Sequence, residues 1–137
     1  MTDISITAAN VLKGTGAVLE HGYFGATVTA GQVVYRDAAD ANAFKLADHD
    51  SATPAVRVPV GIALNGGADG QPGTIQRSGQ ITIGGTLVPG TTYCLSGTPG
   101  GICPQADVTT GDDVVILGVA RTAAILDLNI VVSGVTL

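Results

Sequence analysis

The sequence has no tryptophan, only three tyrosines and two phenylalanines, and a single methionine. Aromatic platforms on which sugars or bases could stack are therefore scarce. Histidine occurs twice, at His21 and His49, so metal ligation and proton transfer near neutral pH have few candidates. Charge is also thin: 12% of residues are Asp, Glu, Lys or Arg, against ~25% in an ordinary domain. The six cations Lys13, Arg36, Lys45, Arg57, Arg77 and Arg121 are scattered, and the formal net charge is −5. No basic patch can neutralise phosphates, which argues against nucleic acid as a partner. The longest apolar run, Val114 to Ala120, is closed by Arg121. It falls far short of the ~20 residues of a membrane-spanning helix, so no membrane partner is expected. The opening Met1-Thr2-Asp3 has neither a basic region nor an apolar stretch, so synthesis in a cytoplasm without a secretory signal is expected.

What is present is glycine, threonine, valine and aspartate. The chain has 137 residues, 45% of them hydrophobic, and that pairing of high hydrophobicity with little charge predicts a packed domain rather than disorder. The twenty glycines show no three-residue period and stand singly between short apolar runs, as punctuation between strands. Ten of the eleven acids are Asp, with Glu20 alone, so strong helix formers are few. The expected fold is all-β: a compact barrel or sandwich, tulip-like, with little helix. Strands are predicted near Ile4–Thr7, Ala17–Leu19, Gln32–Arg36, Ala43–Ala47, Val56–Leu64, Gly73–Ser78, Gln80–Gly84, Thr92–Ser96, Val114–Ala120 and Leu126–Val132. Between Asp37 and Asp50 the alanines allow a short helix, but Asp37, Asp40 and Asn42 favour a hairpin turn, because short Asx side chains satisfy turn backbone groups.

An internal duplication organises the chain. Thr27-Val28-Thr29-Ala30-Gly31, Tyr35, Leu46-Ala47-Asp48, Val60-Gly61-Ile62-Ala63 and Ser78-Gly79 recur in order. Their counterparts are Thr86-Leu87-Val88-Pro89-Gly90, Tyr93, Gln105-Ala106-Asp107, Leu117-Gly118-Val119-Ala120 and Ser133-Gly134, at an offset that drifts only slightly along the chain. Two units cannot make a solenoid, so a single domain over residues 1–137 is expected. Its parts are an N-terminal arm at 1–16, a first β unit at 17–79 and a second at 80–137, the two units packed as a pseudo-twofold. Gly31 and Gly90, each before an apolar strand, suit tight turns with positive φ; Gly61 and Gly118 suit close packing over a missing side chain.

Reactive constellations are few. Asp48-His49-Asp50 suggests a ligand cluster, but adjacent residues of an extended chain point to opposite faces, and a solvated loop is the plainer expectation. Asp37, Asp40 and Asn42 lack the spacing of a calcium loop. Gly14-Thr15-Gly16 and Gly66-Gly67-Ala68-Asp69-Gly70 lack the Lys-Ser/Thr of a phosphate loop and read as turns. Ser51, Ser78, Ser96 and Ser133 have no paired base. No catalytic residue, metal or cofactor is therefore expected, and no enzymatic activity. Cys94 and Cys103 flank Gly97-Thr98-Pro99-Gly100-Gly101; with Pro99-Gly100 central in a two-residue turn, Cys103 faces Ser96 and Cys94 is only its diagonal neighbour. Two buried or half-buried free thiols are favoured over a disulfide, with the pairing left open by the sequence.

From Val33 to Gly79 the order of apolar strand, Asp-rich turn, Leu-Ala-Asp, Val-Gly-Ile-Ala, Asn/Gly turn, strand and Ser-Gly resembles the head decoration, or cement, proteins of tailed bacteriophages of the phage lambda type. That stretch is about a third of the chain. Tyr93-Cys94-Leu95-Ser96 and Leu117-Gly118-Val119-Ala120 look like the glycine-rich β modules of related virion proteins, cement and fibre proteins among them. The resemblance implies a homotrimeric β protein on the outer capsid surface of a virion, bracing neighbouring copies of the major capsid protein. A tail-fibre or receptor-binding β module is the alternative. Lambda-type proteins carry a long disordered arm, whereas the segment before the first repeat is short here. In that segment Thr2, Ile4 and Ile6 alternate with polar residues, which predicts a strand with one apolar face. It either adds to the sheet edge of a capsid or sister subunit, with these three as contact residues, or pairs within its own barrel.

Overall fold

Runs of valine, isoleucine and threonine between glycines form ten antiparallel strands in a computed structural model that describes residues 3–137. They are β1 (Leu12–Lys13), β2 (Val18–Tyr23), β3 (Val33–Asp37), β4 (Ala43–Leu46), β5 (Gly61–Ala63), β6 (Pro72–Thr82), β7 (Thr92–Leu95), β8 (Ile102–Pro104), β9 (Asp113–Ala120) and β10 (Ile125–Thr136). Helix is confined to four short 3₁₀ turns, and among the described residues no helix is long and apolar enough to cross a membrane. The all-β expectation holds: one curled sheet of ten strands, open on one side as a half-barrel.

The strand order β4-β3-β5-β6-β10-β9-β7-β8 contains the same pairing sequence twice, once in each half of the chain. The junction is not symmetric. Gln76 of β6 has Leu19 of β2 on one side and Ile62 of β5 on the other, while Ser78 has Val18 of β2 and Asn129 of β10. A strand residue has one partner per edge, so β5 and β10 share one edge of β6, with β2 along the opposite edge. On β10, by contrast, Asp127 lies between Gln80 of β6 and Val119 of β9, which puts β6 and β9 on opposite edges. The expected pseudo-twofold is therefore broken where the halves meet. The boundary expected between residues 79 and 80 lies inside β6.

β6 turns sharply at Gly79, whose φ of 92° is costly for any residue with a Cβ. The fully buried Gln76 holds this bend, its Nε2 donating to the carbonyls of Ser78 (3.1 Å) and Gln80 (2.8 Å). Alternation then fills both faces. Val33, Tyr35, Ile62, Ile81, Tyr93, Leu95, Leu117 and Leu126 point into the main core inside the curl. Their neighbours Val34, Ala63 and Phe44 join Phe24 and Ile75 in a second cluster behind the first half. Cys94 and Cys103 join Val108 behind the second half. Because both faces are covered, the strands read as continuous apolar runs rather than as alternating ones.

The Asp37–Asp50 segment is the expected hairpin, Val34 to Asp37 pairing with Leu46 to Ala43, and the helical alternative reduces to one 3₁₀ turn at Ala38–Asp40. Several strands differ from expectation. Val56–Leu64 divides into a 3₁₀ turn (Pro54–Arg57) and the short β5, because Pro54 and Pro59 remove backbone donors. The two strands expected at 73–84 are the single bent β6. β8 was not anticipated, and it changes the cysteine register. Thr98 accepts from the Gly101 N–H (2.8 Å), a turn with Pro99 second and Gly100 third at φ 75°, inside the loop that joins β7 to β8. That loop sets Cys94 directly opposite Cys103, not diagonal to it. Both thiols are nevertheless free and buried.

Candidate functional site

Strand β10 outruns its partner on one side. Pairing with β6 ends at Asn129–Ser78, and beyond it β10 is held only by β9, through Val131–Ile116, Val132–Val115 and Thr136–Asp113. Residues 130–136 and 113–116 thus form a two-stranded ribbon at the edge of the sheet, in which Ile116 stays paired with Cys94 of β7 and Val115 stays in the main core. Val131, Val132 and Val135 are each roughly half exposed, and since 131 and 132 face opposite ways, the end of β10 shows apolar side chains on both of its faces, while Val115 opposite it on β9 is buried. Leu128 to Leu137 contains no charged side chain. Exposed sheet edges are ordinarily guarded by lysines, prolines or short strands, and this one carries none of those side chains. What interrupts it is local: two bulges in its register with β9, and Gly134 at φ 72°.

The ribbon is braced at its far end, where β9 begins and β10 finishes. Asp113 accepts from the Arg57 guanidinium (2.9 Å) on the 3₁₀ turn and from the Thr136 hydroxyl, and Ser133 Oγ donates to the Val114 carbonyl (2.6 Å). Pro54, Val58, Val114 and Val135 line a shallow groove of about 280 Å³ between that turn and the ribbon. Val119, also exposed, lines a separate shallow groove with Val131. Chemically the arrangement offers main-chain donors and acceptors along one edge, flanked by aliphatic side chains, which suits binding another strand.

The residues expected to make external contacts are placed differently. Thr2 lies outside the described residues. Ile4 and Ile6 form no strand; they are half-buried against the main core of their own chain. The Ile4 N–H donates to Ile102 O (2.9 Å), the Thr7 N–H to Gly84 O (2.8 Å), and Asp3 accepts from the Ser96 hydroxyl (2.5 Å). The alternation in this segment reports burial of one side on its own fold, so residues 3–7 are a docked segment and not a free arm. Gly31 and Gly90 adopt φ of 93° and 81°. A Cβ on Gly61 would meet the Gln76 carbonyl at 2.5 Å, and one on Gly118 would collide with the Asp127 carbonyl.

His49 also departs from expectation. It is 3% exposed, not in a solvated loop, and lies near Asp50 and the distant Asp112. Asp48 turns aside to accept from the Asp50 N–H (2.9 Å). Asp112 could not have been paired with His49 from spacing, since the two stand in opposite halves of the chain. Asp37 accepts from Lys45 (2.8 Å), which holds its carboxyl below the usual range; with Asp40 this is an ion-paired hairpin end, not a calcium loop. Tyr23 is 63% exposed, whereas the other tyrosines and both phenylalanines are buried. No protein-family model, no curated protein and no solved structure matches this chain.

Proposed function

We propose that this protein is a structural component of a phage virion, a decoration protein that self-associates as a homotrimer and braces neighbouring capsid subunits on the outer shell surface. The observation that carries this reading is the unguarded apolar ribbon of β9 and β10, a surface that gains by being covered. The turn and strand order from Val33 to Gly79, similar to that of lambda-type cement proteins, supports it from the sequence side. Bracing depends on buried area and main-chain pairing rather than on a reactive centre. The test is co-sedimentation of purified protein with undecorated phage capsids, with and without Val131→Asp. Saturable binding that stiffens the shell against heat, lost in the variant, is expected; no binding to any capsid lattice, or equal binding by the variant, overturns the reading.

A tail-fibre or receptor-binding role has one observation of its own. Exposed Tyr23 stands at a shallow groove with Asp40, Asn42 and Asp69, an aromatic face beside polar groups of the kind that holds a sugar ring. Glycan-array binding abolished by Tyr23→Ala would favour that role over decoration.

A further inference from the structure

The His49 imidazole is buried on every side, and neither ring nitrogen makes a hydrogen bond. Its Nδ1 lies 2.9 Å from Asp50 Oδ1, but out of line for donation, and 3.9 Å from Asp112 Oδ1. A buried imidazole without a partner forfeits hydrogen bonds that water would supply, and native folds rarely leave that uncompensated. The two carboxylates add to the imbalance. Among the described residues no lysine or arginine pairs with Asp50 or Asp112 in this cluster, and the three ligand atoms all lie within 4.8 Å of one another.

We propose that His49, Asp50 and Asp112 bind one divalent first-row transition ion, with Zn²⁺ the best match to one imidazole and two carboxylates. Ligand bonds of about 2.0–2.2 Å to a common centre bring donor atoms to separations of this order, and the exposed Asp50 carboxylate has room to rotate as the donors draw in around the ion. The donor set discriminates by chemistry: a neutral imidazole favours zinc and its neighbours, whereas Mg²⁺ and Ca²⁺ prefer oxygen alone. Gly97, in the loop between β7 and β8, belongs to the design, because a Cβ there would run into the Asp50 carboxylate. Asp112 is oriented in turn by the Thr109 N–H, which donates to Oδ2 (2.9 Å) and leaves Oδ1 toward His49. Such outer hydrogen bonds fix a ligand's direction. Asp50 keeps one side open to water, so a solvent molecule completes the coordination.

The consequence is mechanical. His49 and Asp50 follow β4 in the first half of the chain, and Asp112 immediately precedes β9 at the far end of the ribbon, with its carbonyl accepting from the Leu137 N–H (2.9 Å). The ion therefore ties the two halves together and anchors the ribbon. The experiment uses the full chain stripped with a chelator and then titrated calorimetrically with ZnCl₂, in parallel with thermal unfolding. One Zn²⁺ per chain is expected, with the unfolding midpoint rising about 5–10 °C at a hundredfold excess over Kd and no response to Mg²⁺. Asp50→Asn, on an exposed side chain, is expected to keep the stripped protein's midpoint and to weaken Zn²⁺ binding at least tenfold; His49→Ala serves only as a second check, since it opens a cavity. Absence of stoichiometric binding, an equal response in Asp50→Asn, or an equal response to Mg²⁺ overturns the proposal. Tight binding that survives Asp50→Asn and is lost in a Cys94→Ala, Cys103→Ala double variant assigns the metal to the thiols instead and overturns it equally.

Discussion

Single residues decide how closely the strands of this sheet approach. At Gly61 and Gly118 any side chain would meet the carbonyl of Gln76 or Asp127, so Gly→Val at either position is expected to lower unfolding free energy by about 1–3 kcal/mol through overpacking. Urea denaturation measures it, and an unchanged midpoint would show that the neighbouring strand yields without cost. Cys103 makes a pH-dependent prediction. Burial, with Cys94 and nearby carboxylates adding to it, pushes its thiol from an ordinary 9.0 up to about 12, and burial alone raises Cys94. A folded value above the unfolded one means the stability contribution is complete below about pH 9 and lost as pH rises towards 12. Midpoints recorded from pH 8 to 11 should therefore fall, and fall less steeply in Cys103→Ala. At pH 8 both native thiols should be nearly inert to a disulfide reagent and react on unfolding.

Among the elements, the N-terminal segment and the ribbon exchange the roles that alternation alone suggested. Ile4 and Ile6 cover the main core and two main-chain hydrogen bonds pin the segment, so removing residues 1–9 is expected to cost about 2–4 kcal/mol. A truncated chain with an unchanged thermal midpoint would refute that. The ribbon behaves in the opposite sense, since its exposed valines support no interior. Val131→Asp together with Val135→Asp should leave the far-ultraviolet circular dichroism unaltered while abolishing self-association. Light scattering at micromolar concentration would separate this from general unfolding, which would change both.

At the scale of the whole molecule, the duplication survives in strand pairing and fails in detail. The offset from Tyr35 to Tyr93 exceeds that from Gly61 to Gly118 by a single position, and a shift of that size turns a strand over. Leu117 is an extra residue in β9 between the Cys94–Ile116 and Tyr93–Gly118 pairs. Both tyrosines consequently face the main core, yet Ile62 is buried there while its counterpart Val119 is 43% exposed. The second half thus acquires outward apolar surface that the first half keeps inside. Under the proposed function a homotrimer covers it, and light scattering that shows only monomer at micromolar concentration would refute self-association in solution.

The β class, the hairpin at Asp37–Asp50 and the turns at Gly31 and Gly90 were legible from the sequence, because propensity, turn chemistry and glycine placement act over a few residues. The cysteine register was not, because it depends on a loop whose length is set by how Gly100 docks: its N–H donates to Ala47 O (2.7 Å) on the other half of the sheet. Nor was the fate of the N-terminal segment, since alternation reports that one side is buried without saying against what. The grouping of His49 and Asp50 with Asp112, and the departure of β10 from β6 at Asn129, were decided by tertiary structure alone. Both arise from contacts between residues far apart in the chain, and such contacts are chosen by the packing of the whole sheet rather than by any local pattern.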